Sequence, residues 1–360
     1  MKTIMLLLPV LYLLGNGYLF WKIWSILHSL PLWGKVTCSI LFWLMPFVLF
    51  GTMALRSMPM SYWFMSTLHN IGSLWMVFLL YMVLLLLLFD VLKQFLPFIK
   101  SPILYAFTIT MTLFLYGYIN YRIPRIEKIN IVLDKTSNRS QPLRILAISD
   151  VHLGYGTGVA QLQTYISKIN EQQPDIILIM GDLIDNSIVP LHQAPFKEAL
   201  STLHAPMGIY MVPGNHEYIS GIGECKRFLA DTPIRLLCDS IVTLPNGVQI
   251  VGRDDRSNRQ RKTLEQLLVQ TNDIHPVIVL DHQPYELSHI NSLGVDLQLC
   301  GHTHHGQIWP LSLLVESMYE QSHGYHKWSN SHIWVSSGLS LWGPPLRIGT
   351  HSDIAVIDLQ

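Results

Sequence analysis

The first 120 residues carry very few charges and run through Leu, Phe, Trp, Met and Tyr in unbroken apolar stretches. An α-helix rises 1.5 Å per residue, so about 20 apolar residues cross the roughly 30 Å hydrocarbon core of a bilayer. Four stretches are about that long: 4–24, 36–55, 70–89 and 102–120. Backbone groups in lipid must be satisfied internally, which makes each stretch a helix and tolerates Pro46 and the internal glycines. Trp21, Trp24, Trp33, Trp63 and Tyr121 fall where interfacial aromatic belts belong. The first stretch has Lys2 near its start, but it is long and aromatic-rich and three more follow it, unlike a cleaved signal peptide.

The expectation is an all-α transmembrane region of about four helices over 1–121. Ionisable residues within spans would mark a transport or relay path. They are scarce here, and His69 and Asp90 fall at the ends of the third stretch, where water reaches them. The region therefore reads as an anchor. With four spans, Lys2, Arg56, Arg122, Arg125, Lys128, Lys135 and Arg139 share one side, against Lys22, Lys35, Lys93 and Lys100 on the other. The positive-inside rule then favours an integral protein of the cell membrane with its soluble part in the cytoplasm.

Residues 122–142 are mixed and polar and read as a linker, with a short strand at Ile129–Leu133 inside it. From 143 to 360 the pattern alternates strands with helices, the mark of an α/β domain. Strands are expected at 143–149, 176–180, 209–212, 248–252, 277–281, 297–300, 333–336 and 354–359. Helices are expected at 159–171, 194–203, 222–230 and 262–270. Net charge is zero and no basic stripe appears, which argues against a nucleic-acid partner. Four scattered cysteines are too few for a disulfide framework, although Cys225 and Cys238 could pair in an oxidising space. Nothing in the sequence sets the oligomeric state.

Polar residues come directly after the strands. Asp150-Val151-His152 follows the first, Gly181-Asp182-Leu183-Ile184-Asp185 the second and Gly214-Asn215-His216-Glu217 the third. Asp281-His282 and Gly301-His302-Thr303-His304-His305-Gly306-Gln307 follow two later strands. Ligand crevices in α/β sheets form at such strand ends. Singly, each piece is an ordinary turn; five of them, each delivering Asp, Asn or His from a strand end, assemble a metal centre. Imidazole with carboxylate and amide oxygen suits Mn²⁺, Fe or Zn²⁺ and disfavours Mg²⁺ or Ca²⁺ as sole occupants.

This ordered set resembles the calcineurin-like metallophosphoesterase superfamily, over essentially all of 143–360. The match is to Asp150-x-His152, Gly181-Asp182, Gly214-Asn215-His216-Glu217, His282 and Gly301-His302-x-His304. Within it, the Gly-His-Thr-His-x-Gly-Gln turn and the run from Ser337-Gly338-Leu339 to Arg347-Ile348 are similar to a membrane-associated, phosphodiesterase-like branch. The resemblance implies two packed mixed β-sheets flanked by helices. It implies two divalent metal ions, one held by Asp150, His152 and His304, the other by Asn215, His282 and His302, with Asp182 bridging. It also implies His216 as the acid for the leaving oxygen, oriented by Asp185.

Where glycine is usual after the second histidine of that turn, this chain has His305. A side chain there can crowd the substrate, contact phosphate or point to solvent, and the solvent-facing reading is adopted. Arg347 and His305 are the candidate substrate contacts. The aromatic-rich segment 309–330 is expected to be loop, packing locally or forming an apolar lip toward the bilayer, and 253–262 to be a solvated turn leading into a helix. A membrane-anchored, dinuclear-metal phosphoesterase follows. Tethering favours a substrate held in the same membrane, such as a lipid-linked phosphodiester or pyrophosphate. The alternatives are a phosphomonoesterase and a metal-binding membrane sensor without turnover.

Overall fold

The structure is a computed structural model that describes residues 2–133, 135 and 142–360. Most of the polar end of the expected linker, including Arg139, lies outside the described residues. The chain divides into two compact units, Met1–Tyr118 and Ile119–Gln360.

The first unit is built from α1 (Lys2–Trp24), α2 (Leu32–Leu55), α3 (Tyr62–Phe95) and α4 (Pro102–Arg122), the last turn of α4 falling in the second unit. Where the sequence suggests about four spans, three helices among the described residues are long and apolar enough to cross a membrane: α2, α3 and α4, of 24, 34 and 21 residues. Helix α1 covers the first expected span and holds Gly15-Asn16-Gly17 and Lys22. Its polar groups are used inside the unit: buried Asn16 accepts the Trp75 indole N–H at 3.1 Å, and Lys22 pairs with Asp90 at 2.6 Å. One detail of the expectation changes: Asp90 is ion-paired and still partly exposed, but His69 is buried among the helices where access to water is expected.

The second unit is two six-stranded mixed sheets packed face to face. Its strands are β1 (Arg125–Ile131), β2 (Leu143–Ile148), β3 (Ile176–Ile179), β4 (Ile209–Met211), β5 (Ile234–Leu236) and β6 (Ser240–Thr243). They continue with β7 (Gln249–Gly252), β8 (Val277–Leu280), β9 (Leu297–Cys300), β10 (Gly324–Trp328), β11 (Ser331–Val335) and β12 (Asp353–Leu359). One sheet runs β1-β12-β2-β3-β4-β5 and the other β10-β11-β9-β8-β7-β6. Strands β2 to β5 are mutually parallel, as are β7, β8, β9 and β11; β12 runs antiparallel to β2, and β6 and β10 are antiparallel edges.

The continuous apolar strands face cover on both sides, as parallel strands must. Between the sheets, Ile145, Ala147, Leu178 and Ile357 meet Val248, Ile250, Leu280, Leu299 and Trp334. Helix α5 (Val159–Glu171) buries Leu162, Tyr165, Ile166 and Ile169. On the second sheet, Val251, Val279 and Val335 pack with Leu264, Leu267, Leu287 and Ile290.

Several boundaries move. Part of the expected linker is β1, which pairs in parallel with the C-terminal strand β12 from Arg125↔Asp353 to Ile131↔Leu359. The helix expected over 194–203 is split into Val189–Gln193 and Phe196–Leu200. Ala194 is extended (φ −145°, ψ 159°), the conformation that a following proline, here Pro195, imposes. The segment expected as loop over 309–330 contains the helix Leu311–Glu316 and strand β10. The expected solvated turn is buried at its start, where Arg253 lies 2.7 Å from Asp281 and Asp254 and Asp255 are covered, while Ser257, Arg259, Gln260 and Lys262 are exposed. All four cysteines are unpaired. Ile357 is fully buried between the sheets. Ile357→Ala should destabilise this unit by about 2–5 kcal/mol, the usual cost of a buried large-to-small change. Thermal unfolding of the detergent-solubilised chain, followed by β-sheet circular dichroism, reads that loss.

Candidate metal centre

Five strands deliver polar side chains from their C-terminal ends: β2, β3 and β4 from one sheet, β8 and β9 from the other. The turns there are tight. Asp150, His152, Asp182, His302, His304 and His305 all have positive φ, between 48° and 73°. Non-glycine residues seldom adopt that region, and where they do the surrounding structure holds them there, commonly at functional sites. Two glycines make the approach possible. A Cβ on Gly301 would lie 1.8 Å from Ser149 Oγ and 2.5 Å from Asp150 Oδ2, and one on Gly214 would lie 2.1 Å from Asp182 Oδ1.

Asp150, His152 and His304 form one cluster, and Asp182, His282 and His302 another. In the first, His152 Nε2 and His304 Nε2 are 3.1 Å apart, and Asp150 Oδ1 lies 3.7 and 3.4 Å from them. Asp150 Oδ2 accepts the His302 backbone N–H at 2.9 Å, while Oδ1 is buried without a hydrogen-bond partner. In the second, His282 Nδ1 faces the Met180 carbonyl at 2.6 Å, so that nitrogen donates and Nε2 is the one turned to the cluster. Nε2 stands 3.1 Å from Asp182 Oδ2 and 3.2 Å from Asn215 Oδ1, both acceptors, and is placed to share a proton or a cation with them. Asp182 Oδ2 is also 3.9 Å from His152 Nε2, which places one carboxylate oxygen between the clusters. Its other oxygen accepts the His216 backbone N–H at 2.8 Å.

Acceptors converging in a buried pocket repel one another unless a cation or protons lie between them. The side-chain ionisation follows. Burial opposes charge on Asp150, but His304 and His152 hold its carboxyl well below the usual range. Burial likewise opposes charge on Asp182, and His282 and His216 hold it low. Burial and the charge on His282 push His302 down to about 4, and burial also holds His304 well below its usual value. Against burial, the carboxylates of Asp150, Asp185 and Asp182 raise His152 to about 10, and Asp182 raises His282. The pocket thus favours positive charge and keeps neutral imidazoles beside it. The donor set, the unpartnered Asp150 Oδ1 and the converging ligand atoms of the second cluster fit divalent cations.

His216 lies on the more open side with Asn215 and His302. Its Nδ1 is 3.0 Å from Asp185 Oδ1, and the same oxygen is 3.4 Å from His152 Nδ1. Asp185 is thus at ion-pair distance from both rings, which hold its carboxyl low against the effect of burial.

The two candidate substrate contacts sit elsewhere. Arg347 is fully buried, and its guanidinium donates to the carbonyls of His304 at 2.8 Å, Gly338 at 2.8 Å and Ser340 at 3.1 Å, as well as to Ser337. Four hydrogen bonds to main-chain carbonyls leave it organising the turn that carries His304, buried away from any approaching phosphate. His305 does not point to solvent: it is buried, stacks on His323 with ring centroids 3.4 Å apart, and has Nε2 2.9 Å from Glu316.

Glu217 is a further contributor that has no assigned role in the sequence reading. Fully buried, it accepts the backbone N–H groups of Asp182 at 2.9 Å, Ile184 at 2.9 Å and Gly214 at 2.7 Å, bracing two of the turns. Burial and neighbouring Asp182 push its pKa up to about 7. Its signal in the sequence is an acidic residue at the third position of the helix Asn215–Ser220, the reaching-back half of a capping box.

Two outcomes follow. Gly301→Ala should displace Ser149 and Asp150, and calorimetry should show weaker Mn²⁺ binding with the fold retained. Protons on His152 and His282 compete with a cation, so affinity should rise as pH rises, with protons released on binding. Calorimetry in buffers of different ionisation enthalpy measures that release.

Residues 143–306 match the sequence pattern of the family described as Calcineurin-like phosphoesterase. An uncharacterized metallophosphoesterase of Helicobacter pylori is 36% identical over 242 residues, covering 66% of this chain and 64% of that protein. One of Campylobacter jejuni is 31% identical over 261 residues, covering 70% and 68%. A protein of Danio rerio described as a transmembrane protein with metallophosphoesterase domain is 30% identical over 272 residues, covering 71% and 62%. The chain thus spans about two thirds of the length of these relatives. With its five strand-end clusters and these matches, the chain belongs to the calcineurin-like phosphoesterase family.

Proposed function

We propose that this chain is a membrane-anchored phosphoesterase whose centre takes two divalent cations, Mn²⁺, Fe or Zn²⁺. In this reading Asp150, His152 and His304 would hold one and Asn215, His282 and His302 the other, with Asp182 available to both. The observation that carries it is the convergence of carboxylate, amide and imidazole ligand atoms in both clusters, above all His282 Nε2 at 3.1 and 3.2 Å from Asp182 and Asn215.

Bound divalent ions neutralise phosphate charge and lower the pKa of water to near neutrality. The protein's own part is positioning and proton handling. His216, held at Nδ1 beside Asp185, keeps Nε2 for donating a proton to the leaving oxygen. The β3 and β4 turns braced by Glu217 fix where Asp182 and His216 stand.

Three apolar helices and the likeness to transmembrane relatives support attachment to a membrane. A phosphodiester or pyrophosphate linked to lipid is the substrate class that tethering favours, with the domain on the cytoplasmic side of the cell membrane.

Detergent-solubilised protein should hydrolyse an aryl phosphodiester with Mn²⁺ and lose that activity with a chelator. Asp182→Ala should abolish turnover together with metal binding. His216→Ala should retain the metals and lose about 10²–10⁴-fold in kcat, the range for a positioned acid. Unchanged turnover in Asp182→Ala sinks the enzyme reading. Preference for aryl monoester over diester would replace the phosphodiesterase with a phosphomonoesterase.

A further inference from the structure

The second unit carries an apolar surface that its own fold leaves uncovered. From Ile308 to Val315 the chain reads Ile-Trp-Pro-Leu-Ser-Leu-Leu-Val without a charge. Trp309, Leu311, Leu313, Leu314 and Met318 are exposed by 51, 42, 57, 53 and 51%. Scattered single apolar residues are normal on a soluble surface, but five large ones within ten residues mark a contact site. The segment follows His302 and His304 directly. Its first charge, Glu316 at the end of the short helix Leu311–Glu316, is the one tied to His305.

The attachment of this segment shows what covers it. Ile119–Arg122, the last turn of the apolar helix α4, belongs to the same compact unit. Asn120 Nδ2 donates to the Arg347 carbonyl at 3.0 Å and to the Thr350 carbonyl at 2.7 Å. Thr350 Oγ1 donates to the Gln307 carbonyl at 2.6 Å, and the Trp309 backbone N–H donates to the Ile348 carbonyl at 2.7 Å. A short path of hydrogen bonds therefore joins the end of a membrane span to the root of the apolar segment. A span ends where hydrocarbon gives way to headgroups. Arg122 and Arg125, exposed immediately after it, carry the charge that anionic headgroups attract.

We infer that Trp309, Leu311, Leu313, Leu314 and Met318 form a lip seated in the bilayer interface, through which a lipid-linked phosphoester reaches the metal centre. The inference rests on the phosphoesterase reading of that centre. The indole of Trp309 suits the headgroup level, and the leucines and methionine suit the acyl boundary below it. A substrate with its lipid tail in the membrane then arrives by lateral diffusion with its phosphate on the side of His302.

Two measurements on the full chain in phosphatidylcholine–phosphatidylglycerol nanodiscs test this. In a Cys38→Ser, Cys238→Ser background, Leu314→Cys is labelled with an environment-sensitive fluorophore. Emission should be blue-shifted and quenched by brominated acyl chains. Solvent-like emission, or a blue shift that bromolipid does not quench, overturns the lip; the latter would mean that a second copy or another protein covers it. The variant Leu311→Ser, Leu313→Ser, Leu314→Ser should then lose at least tenfold in kcat/KM on a fluorogenic lipid phosphodiester while keeping its rate on a soluble aryl diester. Equal losses on both substrates, or none, refute the lip. No turnover of the soluble diester by the unmodified chain refutes the phosphoesterase reading instead, and the quenching result stands apart from it.

Discussion

Where the two sheets end, carboxylate, amide and imidazole acceptors are held closer together than their lone pairs tolerate in a pocket without positive charge. His282 shows the conflict most simply, because the Met180 carbonyl fixes the proton on Nδ1 and turns Nε2 toward Asp182 and Asn215. Burial removes the water that would otherwise screen these groups, so their repulsion has to be met by cations or by protons on His152 and His282. The architecture of the domain can be understood as what is needed to hold that arrangement in place.

Holding it takes support at several depths. The sheets bring strand ends from two layers to one edge, and the turns there accept left-handed backbone at six non-glycine residues. Glu217 gathers three N–H groups from the β3 and β4 turns, and Arg347 gathers carbonyls from the His304 turn and the 337–340 run. Both are charged groups buried where their hydrogen bonds are nearly all to main chain, which suits them to fixing backbone in place. Asn120, in the last turn of α4, is bonded to the carbonyl of Arg347 itself, so the start of this unit and the candidate centre share one loop.

The apolar segment after His304 belongs to the same loop system. Its residues are exposed in a domain whose other large apolar side chains mostly fill the core between and behind the sheets. A domain that met only water would gain by burying or replacing them, whereas one standing at a bilayer has a second apolar phase available.

Much of this was legible in the linear sequence because it depends on contiguous residues. Apolar length alone marks helices able to cross a membrane, and apolar strands followed at once by Asp, Asn or His place the candidate ligands at strand ends. Glu217 was within reach too, since its capping position is a local signal. Tertiary structure alone decided what rests on partners far apart in the chain. Strand β1 lies within an apparent linker because its partner, β12, is more than 200 residues away. Asn16 and Lys22 of α1 meet Trp75 and Asp90 of α3, partners that the linear sequence does not set beside them. Arg347 looks like an available cation until the carbonyls it satisfies are folded around it, and His305 looks solvated until Glu316 and His323 come against it. A side chain's chemistry is written in the sequence, but whether that chemistry faces a substrate or is consumed inside the protein depends on which distant groups folding brings within about 3 Å.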